Sequence, residues 1–266
     1  MKKFFLFLFA LVSADAAFAQ FTPDTMMRRE AYTNQTAEVF KYRIWSPQFL
    51  RKGEKLPVIL FLHGSGECGT DNEKQLKHGI PLLLNQLLKQ NIKAIVIAPQ
   101  CQMPLLNSWV HRIAFKETYS ADKNPALGLE TALEIAQHVI DTQQGDPDRF
   151  YITGLSLGGF GTWDAIQREP DRFAAAAPIC AGGDTSLAPR LKNLPIWVAH
   201  GEEDKNVPVE CSIRMVNAIK AAGGRKIVYH QYPKVGHDVW NRVYGDPKFV
   251  SWLLEQRRNK PWWKFW

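Results

Sequence analysis

Short continuous apolar runs, each closed by a glycine or proline, alternate along this chain with longer stretches in which apolar residues recur every three or four positions. The runs Pro57–Leu62, Ala94–Ala98, Arg149–Thr153, Phe173–Ile179, Ile196–Ala199 and Lys226–Tyr232 predict strands. Most of these are apolar on successive residues, as in a strand buried on both faces. Val39–Ile44 alternates instead and predicts a half-exposed strand. Between them, Lys77–Gln90, Ala126–Thr142, Leu157–Arg168, Val209–Ala222 and Lys248–Arg257 predict helices. Ala126–Thr142 is the clearest, with Leu129, Ala132, Leu133, Ala136, Val139 and Ile140 at helical spacing. Strand and helix in alternation predict a mostly parallel sheet with helices on both faces.

The first residues break this pattern. Lys2 and Lys3, the apolar run from Phe4 to Val12 and the Ala17-Phe18-Ala19 site have the form of a secretory signal peptide. A membrane anchor is the alternative, but the run is well short of the ~20 residues a span needs. The reading is therefore a signal peptide over 1–19, a single domain over 20–266, and export to the periplasm or medium. No later segment has the apolar length to span a bilayer.

Composition adds exclusions. The 266 residues are 45% hydrophobic and 22% charged, ordinary for a globular protein. The net charge of +7 comes from scattered basic residues without an aromatic-interleaved Lys/Arg block, so no nucleic-acid partner is expected. The four cysteines Cys68, Cys101, Cys180 and Cys211 form no C-x-x-C pair, which speaks against a zinc or thioredoxin-type site. Neither metal nor cofactor is expected. The sequence does not set the oligomeric state.

Chemistry concentrates where strands end. Gly154-Leu155-Ser156-Leu157-Gly158 joins a predicted strand to a predicted helix, the context of a nucleophile elbow. Such a turn strains the serine backbone and leaves no room for side chains beside it. Serine needs a general base, and histidine titrates in the right range. Of His200, His230 and His237, the last is favoured, because Val235-Gly236-His237-Asp238 forms a turn between the last strand and the last helix. The orienting acid belongs in the loop His200–Pro208. Asp204 is the candidate, with Asp184 as runner-up; Glu202 and Glu203 lie nearer the strand end. The tetrahedral oxyanion needs preorganised donors. These are expected to be the N–H of Leu157 and, from the loop His63-Gly64-Ser65-Gly66, the N–H of Ser65, with Gly66 as alternative. His63 is expected to hold that loop rather than to react.

Leu62-His63-Gly64-Ser65-Gly66-Glu67 with Asp71–Leu76, Ala98-Pro99-Gln100-Cys101, His200-Gly201 with Asp204 and Val207-Pro208, and Gly236-His237-Asp238 with Trp240 together carry a resemblance. Over roughly Val39 to Arg258 the chain resembles compact bacterial esterases related to dienelactone hydrolases and to feruloyl and acetyl-xylan esterases, a group often labelled predicted peptidases of the prolyl-oligopeptidase type. The resemblance implies the α/β-hydrolase fold and a metal-free carboxylic-ester hydrolase with the triad Ser156, Asp204 and His237. It does not specify the substrate. A serine peptidase or amidase on the same triad, or a non-catalytic protein that kept the fold, are the alternatives. Cys68 departs from the family pattern. In such a sheet the strands ending at Leu62 and Ala98 are neighbours, so a Cys68–Cys101 disulfide is an expectation.

No long insertion follows Phe173–Ile179, so no large lid is expected. An open, shallow cleft suits short acyl groups or esters on a polysaccharide. Trp109 and Trp240 are candidate substrate-binding residues, with core or rim packing as the alternative for each. The tail Pro261-Trp262-Trp263-Lys264-Phe265-Trp266 is left without a role.

Overall fold

The computed structural model describes residues 22–47, 50–102, 108–111, 121 and 123–258. The expected signal peptide and the Trp-rich tail lie outside the described residues. Eight strands form one sheet: β1 (Arg28–Thr33), β2 (Val39–Trp45), β3 (Leu56–Leu62), β4 (Ile95–Pro99), β5 (Gly145–Leu155), β6 (Ala175–Ile179), β7 (Ile196–Gly201) and β8 (Ile227–Tyr232). The spatial order is β1-β2-β4-β3-β5-β6-β7-β8. β1, β2 and β4 pair antiparallel, and every pair from β4 to β8 is parallel. This is the open, mostly parallel sheet of an α/β hydrolase.

Seven α-helices are described: α1 (Pro23–Met26), α2 (Ile80–Lys89), α3 (Leu127–Thr142), α4 (Leu157–Arg168), α5 (Glu210–Ala221), α6 (Trp240–Tyr244) and α7 (Pro247–Glu255). β3 explains how they are arranged. Its residues are all buried, but successive side chains point to opposite faces. Val58, Leu60 and Leu62 join α3, α4 and α5 in one core. Ile59 and Phe61 join α2, α6 and α7 in the other. Each such side chain contributes about 1.5–3 kcal/mol by leaving water, so a strand buried on both faces has to be apolar throughout.

The predicted elements recur with shifts of a few residues. β5 is longer than its apolar stretch, because its first half pairs with β3 across a register shift at Leu56/Val58. β1 has no counterpart among the predicted strands. Its sequence is polar and its burial alternates weakly, as befits an edge strand that pairs with β2 alone. Among the described residues no helix is long and apolar enough to cross a membrane.

Candidate active site

The parallel arrangement brings the carboxyl ends of β3, β5 and β7 to one edge of the sheet, where ligands of such sheets bind. Ser156 stands between β5 and α4 with φ of 52°, a left-handed conformation rarely tolerated by a side-chain-bearing residue. Its N–H donates to the Ile179 carbonyl at 3.0 Å, which ties the turn to β6. Gly158 makes the turn possible. A Cβ there would stand 2.0 Å from the Leu62 carbonyl oxygen, so α4 presses directly on the end of β3.

His237 begins a single 3-10 turn, His237–Val239, that follows β8. Its position depends on Gly201. The loop 235–236 crosses that residue so closely that a Cβ would fall 2.2 Å from the Gly236 carbonyl oxygen. His237 Nε2 then lies 3.0 Å from Ser156 Oγ, and its Nδ1 lies 2.7 Å from Asp204 Oδ2. Trp240 packs edge-on against the same ring, with centroids 5.3 Å apart.

Asp204 is held on all sides. Its Oδ1 accepts the N–H groups of Asn206 and Val207, both at 2.9 Å. Its Oδ2 faces both His237 and His200, whose Nε2 is 3.2 Å away. Burial pushes the Asp204 carboxyl up, but hydrogen bonds from His200, His237 and the Val207 N–H outweigh it and hold the group well below the usual carboxylate range. The site thus keeps a carboxylate where the imidazole needs one.

The other candidates fall elsewhere. Asp184 caps the 3-10 helix Thr185–Leu191 through the Ser186 N–H and accepts the Ala121 N–H at 3.0 Å. His230 stacks on Trp197 with centroids 4.2 Å apart. Glu202 is exposed and accepts from Gln231. His200 is buried, with its two ring nitrogens against Ser212 Oγ and the Val207 carbonyl.

Ser65 and Gly66 start the 3-10 turn Ser65–Glu67 beyond β3 and line the same cavity as Ser156 and His237, about 470 Å³ in volume. Leu157 is the first residue of α4, so its N–H belongs to the turn whose donors have no partner within the helix. Glu67 closes the turn Ser65–Glu67. Its carboxylate accepts the Gly64 N–H at 2.8 Å, and burial pushes that carboxyl up. The glutamate three positions after Gly64 is the sequence signal that could have marked it.

His63 holds this loop, as expected. Nδ1 meets the Gly64 carbonyl at 2.7 Å and Nε2 accepts the Cys101 N–H at 3.1 Å. Burial lowers its pKa to about 4, so the imidazole is neutral. Gln100, which sequence reasoning missed, is a buried staple. Its Nε2 donates to the Glu67 carbonyl at 3.1 Å and to Asp71 at 3.0 Å, and its Oε1 accepts the Asn72 N–H at 2.7 Å.

Trp109 requires a correction. It is fully buried and packs against α4 at Gly161, with its indole N–H donating to the His63 carbonyl at 3.0 Å. It supports the loop from beneath and does not line the cavity, whereas Trp240 does. Two triads of metal-ligand types occur among the described residues: His63, Cys68 and Cys101, and Cys180, Asp204 and His237. In the second, both Asp204 and His237 are already engaged with each other, and burial pushes the Cys180 thiol up, away from the thiolate a metal requires. Cys68 and Cys101 are free thiols, with sulfurs 3.4 Å apart rather than bonded.

Comparison with known proteins agrees with this architecture. A family model described as phospholipase/carboxylesterase matches residues 50–248. An acyl-protein thioesterase 1 of Mycosarcoma maydis is 24% identical over 202 residues, covering 68% of this chain and 83% of that protein. An uncharacterized secreted protein of Arthroderma benhamiae is 26% identical over 218 residues, but the match takes in only 22% of its length. Among solved structures, a thermostable esterase is 36% identical with a TM-score of 0.78, covering 88% of this chain and 64% of that one. A ferulic acid esterase superposes with a TM-score of 0.64 at 17% identity, over 85% of this chain and 98% of that one, a likeness of fold. The chain thus spans about a fifth of the secreted fungal relative and just under two thirds of the thermostable esterase.

Proposed function

The chain belongs to the phospholipase/carboxylesterase family, and from that premise we propose that it is an exported serine carboxylesterase acting on short-chain or polysaccharide-linked acyl esters, with Ser156, His237 and Asp204 as its triad. The observation that carries this reading is the continuous relay from Ser156 Oγ through both nitrogens of His237 to Asp204, with links of 3.0 and 2.7 Å.

Each step assigns one proton. His237 Nε2 takes the Ser156 hydroxyl proton as Oγ attacks the ester carbonyl carbon. The negative charge that develops on the carbonyl oxygen is met by the N–H of Leu157, at the positively polarised start of α4, and by the N–H of Ser65 from the turn beyond β3. Asp204 keeps His237 in the tautomer with Nε2 free and stabilises the imidazolium. The imidazolium then protonates the departing alcohol, leaving an acyl group on Ser156. Water enters, gives its proton to His237 and attacks the acyl carbon; the imidazolium then returns that proton to Ser156 Oγ as the acyl–oxygen bond breaks, which releases the acid and restores the serine hydroxyl and neutral His237.

The cavity supports small acyl groups. About 470 Å³ is the small end of the range for ligand sites. Polar Lys205, Asn206 and His78 share its wall with Leu155 and Trp240, so it suits an oxygen-rich partner better than a long chain. Export is supported by the residue pattern of 1–19 and by the name of the secreted Arthroderma benhamiae relative.

The test is turnover of nitrophenyl acetate, methyl ferulate, acetylated and feruloylated xylan fragments and a peptide anilide, with fluorophosphonate labelling in parallel. Ester turnover and labelling, both lost in Ser156→Ala, are expected. Faster cleavage of the anilide than of any ester would make the protein an amidase, and equal labelling of Ser156→Ala would remove Ser156 as nucleophile. Processing after Ala19 is checked by N-terminal sequencing of exported material; an intact Met1 there overturns the export reading.

A further inference from the structure

Cys68 follows the 3-10 turn Ser65–Glu67, and Cys101 lies two residues past the end of β4. The Gly69 N–H donates to the Cys101 carbonyl at 3.0 Å, so the two backbones run side by side. Their Sγ atoms are 3.4 Å apart. Cys68 is half-buried and Cys101 fully buried. His63 Nε2 completes a set of three soft donors within 4.8 Å of one another, the composition of a soft-cation site. The ring of His63 argues against that use. Its Nδ1 faces a carbonyl oxygen and so carries the proton, which leaves Nε2 with the lone pair that accepts the buried Cys101 N–H at 3.1 Å. A metal would take that lone pair and strand the N–H. Two sulfurs remain, and closing their gap to the ~2.0 Å of a disulfide is a small movement.

We propose that Cys68 and Cys101 are an oxidative modification site, a dithiol that closes to a disulfide and staples the oxyanion-side loop to the end of β4. The co-reactant is an oxidant carrying a reactive disulfide, such as a dithiol oxidase or oxidised glutathione. The Cys68 thiolate attacks one sulfur of that disulfide and displaces the other as a thiolate. Cys101 then loses its proton and attacks Cys68 Sγ, displacing the second oxidant sulfur. The two cysteines give up two electrons and two protons, and the oxidant's disulfide becomes two thiols. The order follows from access, since Cys68 reaches solvent and Cys101 does not. It agrees with their acidities: the contact from Cys101 lowers the Cys68 thiol, while burial raises that of Cys101.

The link bears on chemistry because Ser65 stands three residues before Cys68, in the turn that the bond would fix. A preorganised donor acts on the transition state more than on the bound substrate. The cross-link itself is independent of the esterase reading; its effect on turnover rests on the proposed role of the Ser65 N–H.

The full chain is incubated with oxidised glutathione or with dithiothreitol, and the bond is mapped by mass spectrometry of non-reduced peptides. A Cys68–Cys101 peptide pair is expected only after oxidation, with two of the four thiols lost. The unfolding midpoint should rise by roughly 5–10 °C. Reduction should lower kcat on nitrophenyl acetate roughly three- to tenfold while KM stays within about twofold. Cys68→Ser should remove all three responses. Four free thiols after oxidation, a bond to Cys180 or Cys211, or one tightly bound zinc ion protecting both thiols would overturn the site. A mapped bond without change in kcat would overturn the stapling. Inertness toward both ester and fluorophosphonate in either redox state would count against the esterase reading and leave the bond standing.

Discussion

At the scale of single residues, this site depends on positions where no other residue fits. Gly158 brings α4 against β3, and a methyl group there would meet the Leu62 carbonyl oxygen at 2.0 Å. Backbone cannot step aside as a flexible side chain can. Gly158→Ala should therefore destabilise the fold by about 3 kcal/mol, read from urea denaturation, and should reduce fluorophosphonate labelling in whatever folded protein remains. An effect under about 1 kcal/mol would mean that the helix start is looser than the contact implies. Asp204→Asn keeps the shape of the side chain but removes the charge that both His200 and His237 face. It should lower kcat by roughly 10³–10⁴-fold with little change in KM. Equal loss in kcat/KM through KM alone would instead assign Asp204 to substrate binding. The serine, the histidine and the acid were legible in the sequence because each falls at a predicted strand end. His200 was legible only as a structural residue; that it shares the Asp204 carboxylate depends on how the loop 202–207 turns back.

At the scale of elements, the pattern of apolar residues predicted the central strands and all of α2 to α5 and α7 within a few residues. It failed for β1, where polarity on an edge strand carries no periodic signal. The loop that carries Ser65 makes the same point. Its glycines were visible in the sequence, but its support was not. Gln100 lies 33 residues after Glu67 and 28 after Asn72, and it satisfies backbone groups of both. Gln100→Ala would leave buried backbone polar groups without partners. The expected result is a loss of about 3 kcal/mol of stability and a fall in kcat that exceeds any rise in KM, measured on a nitrophenyl ester. A pure KM effect would show that the loop binds substrate without shaping the transition state. Trp109 shows the converse failure. Its place after the Cys101 loop suggested the cleft, and packing against Gly161 put it beneath the loop instead.

At the scale of the whole molecule, stability should depend on pH through His63. Its folded pKa of about 4 lies below the ordinary value of 6.5. Between those values the unfolded chain binds a proton that the native state does not. Stability therefore falls as pH drops through that window, by up to about 3 kcal/mol near pH 4. The depressed Asp204 acts in the next window down. It contributes stability above its unfolded pKa of about 3.9 and loses it as pH falls further. Unfolding free energies measured at several pH values should show the first decline, and His63→Gln, though less stable at pH 7, should flatten it between pH 6.5 and 4. An unchanged slope would mean that His63 is protonated in the native state.

The strand-helix alternation, the strained turn at Ser156 and the order of serine, acid and histidine are properties of local sequence, because burial on two faces and a sharp turn each demand particular residues nearby. The sequence therefore determined the layered α/β architecture and nominated the three side chains of the proposed triad. Tertiary structure alone decided which of several acids and histidines meet, which tryptophan reaches the cavity, and how Gln100, Glu67 and His63 hold the loop. Those outcomes depend on distances between segments far apart in the chain, which packing sets and no local pattern records.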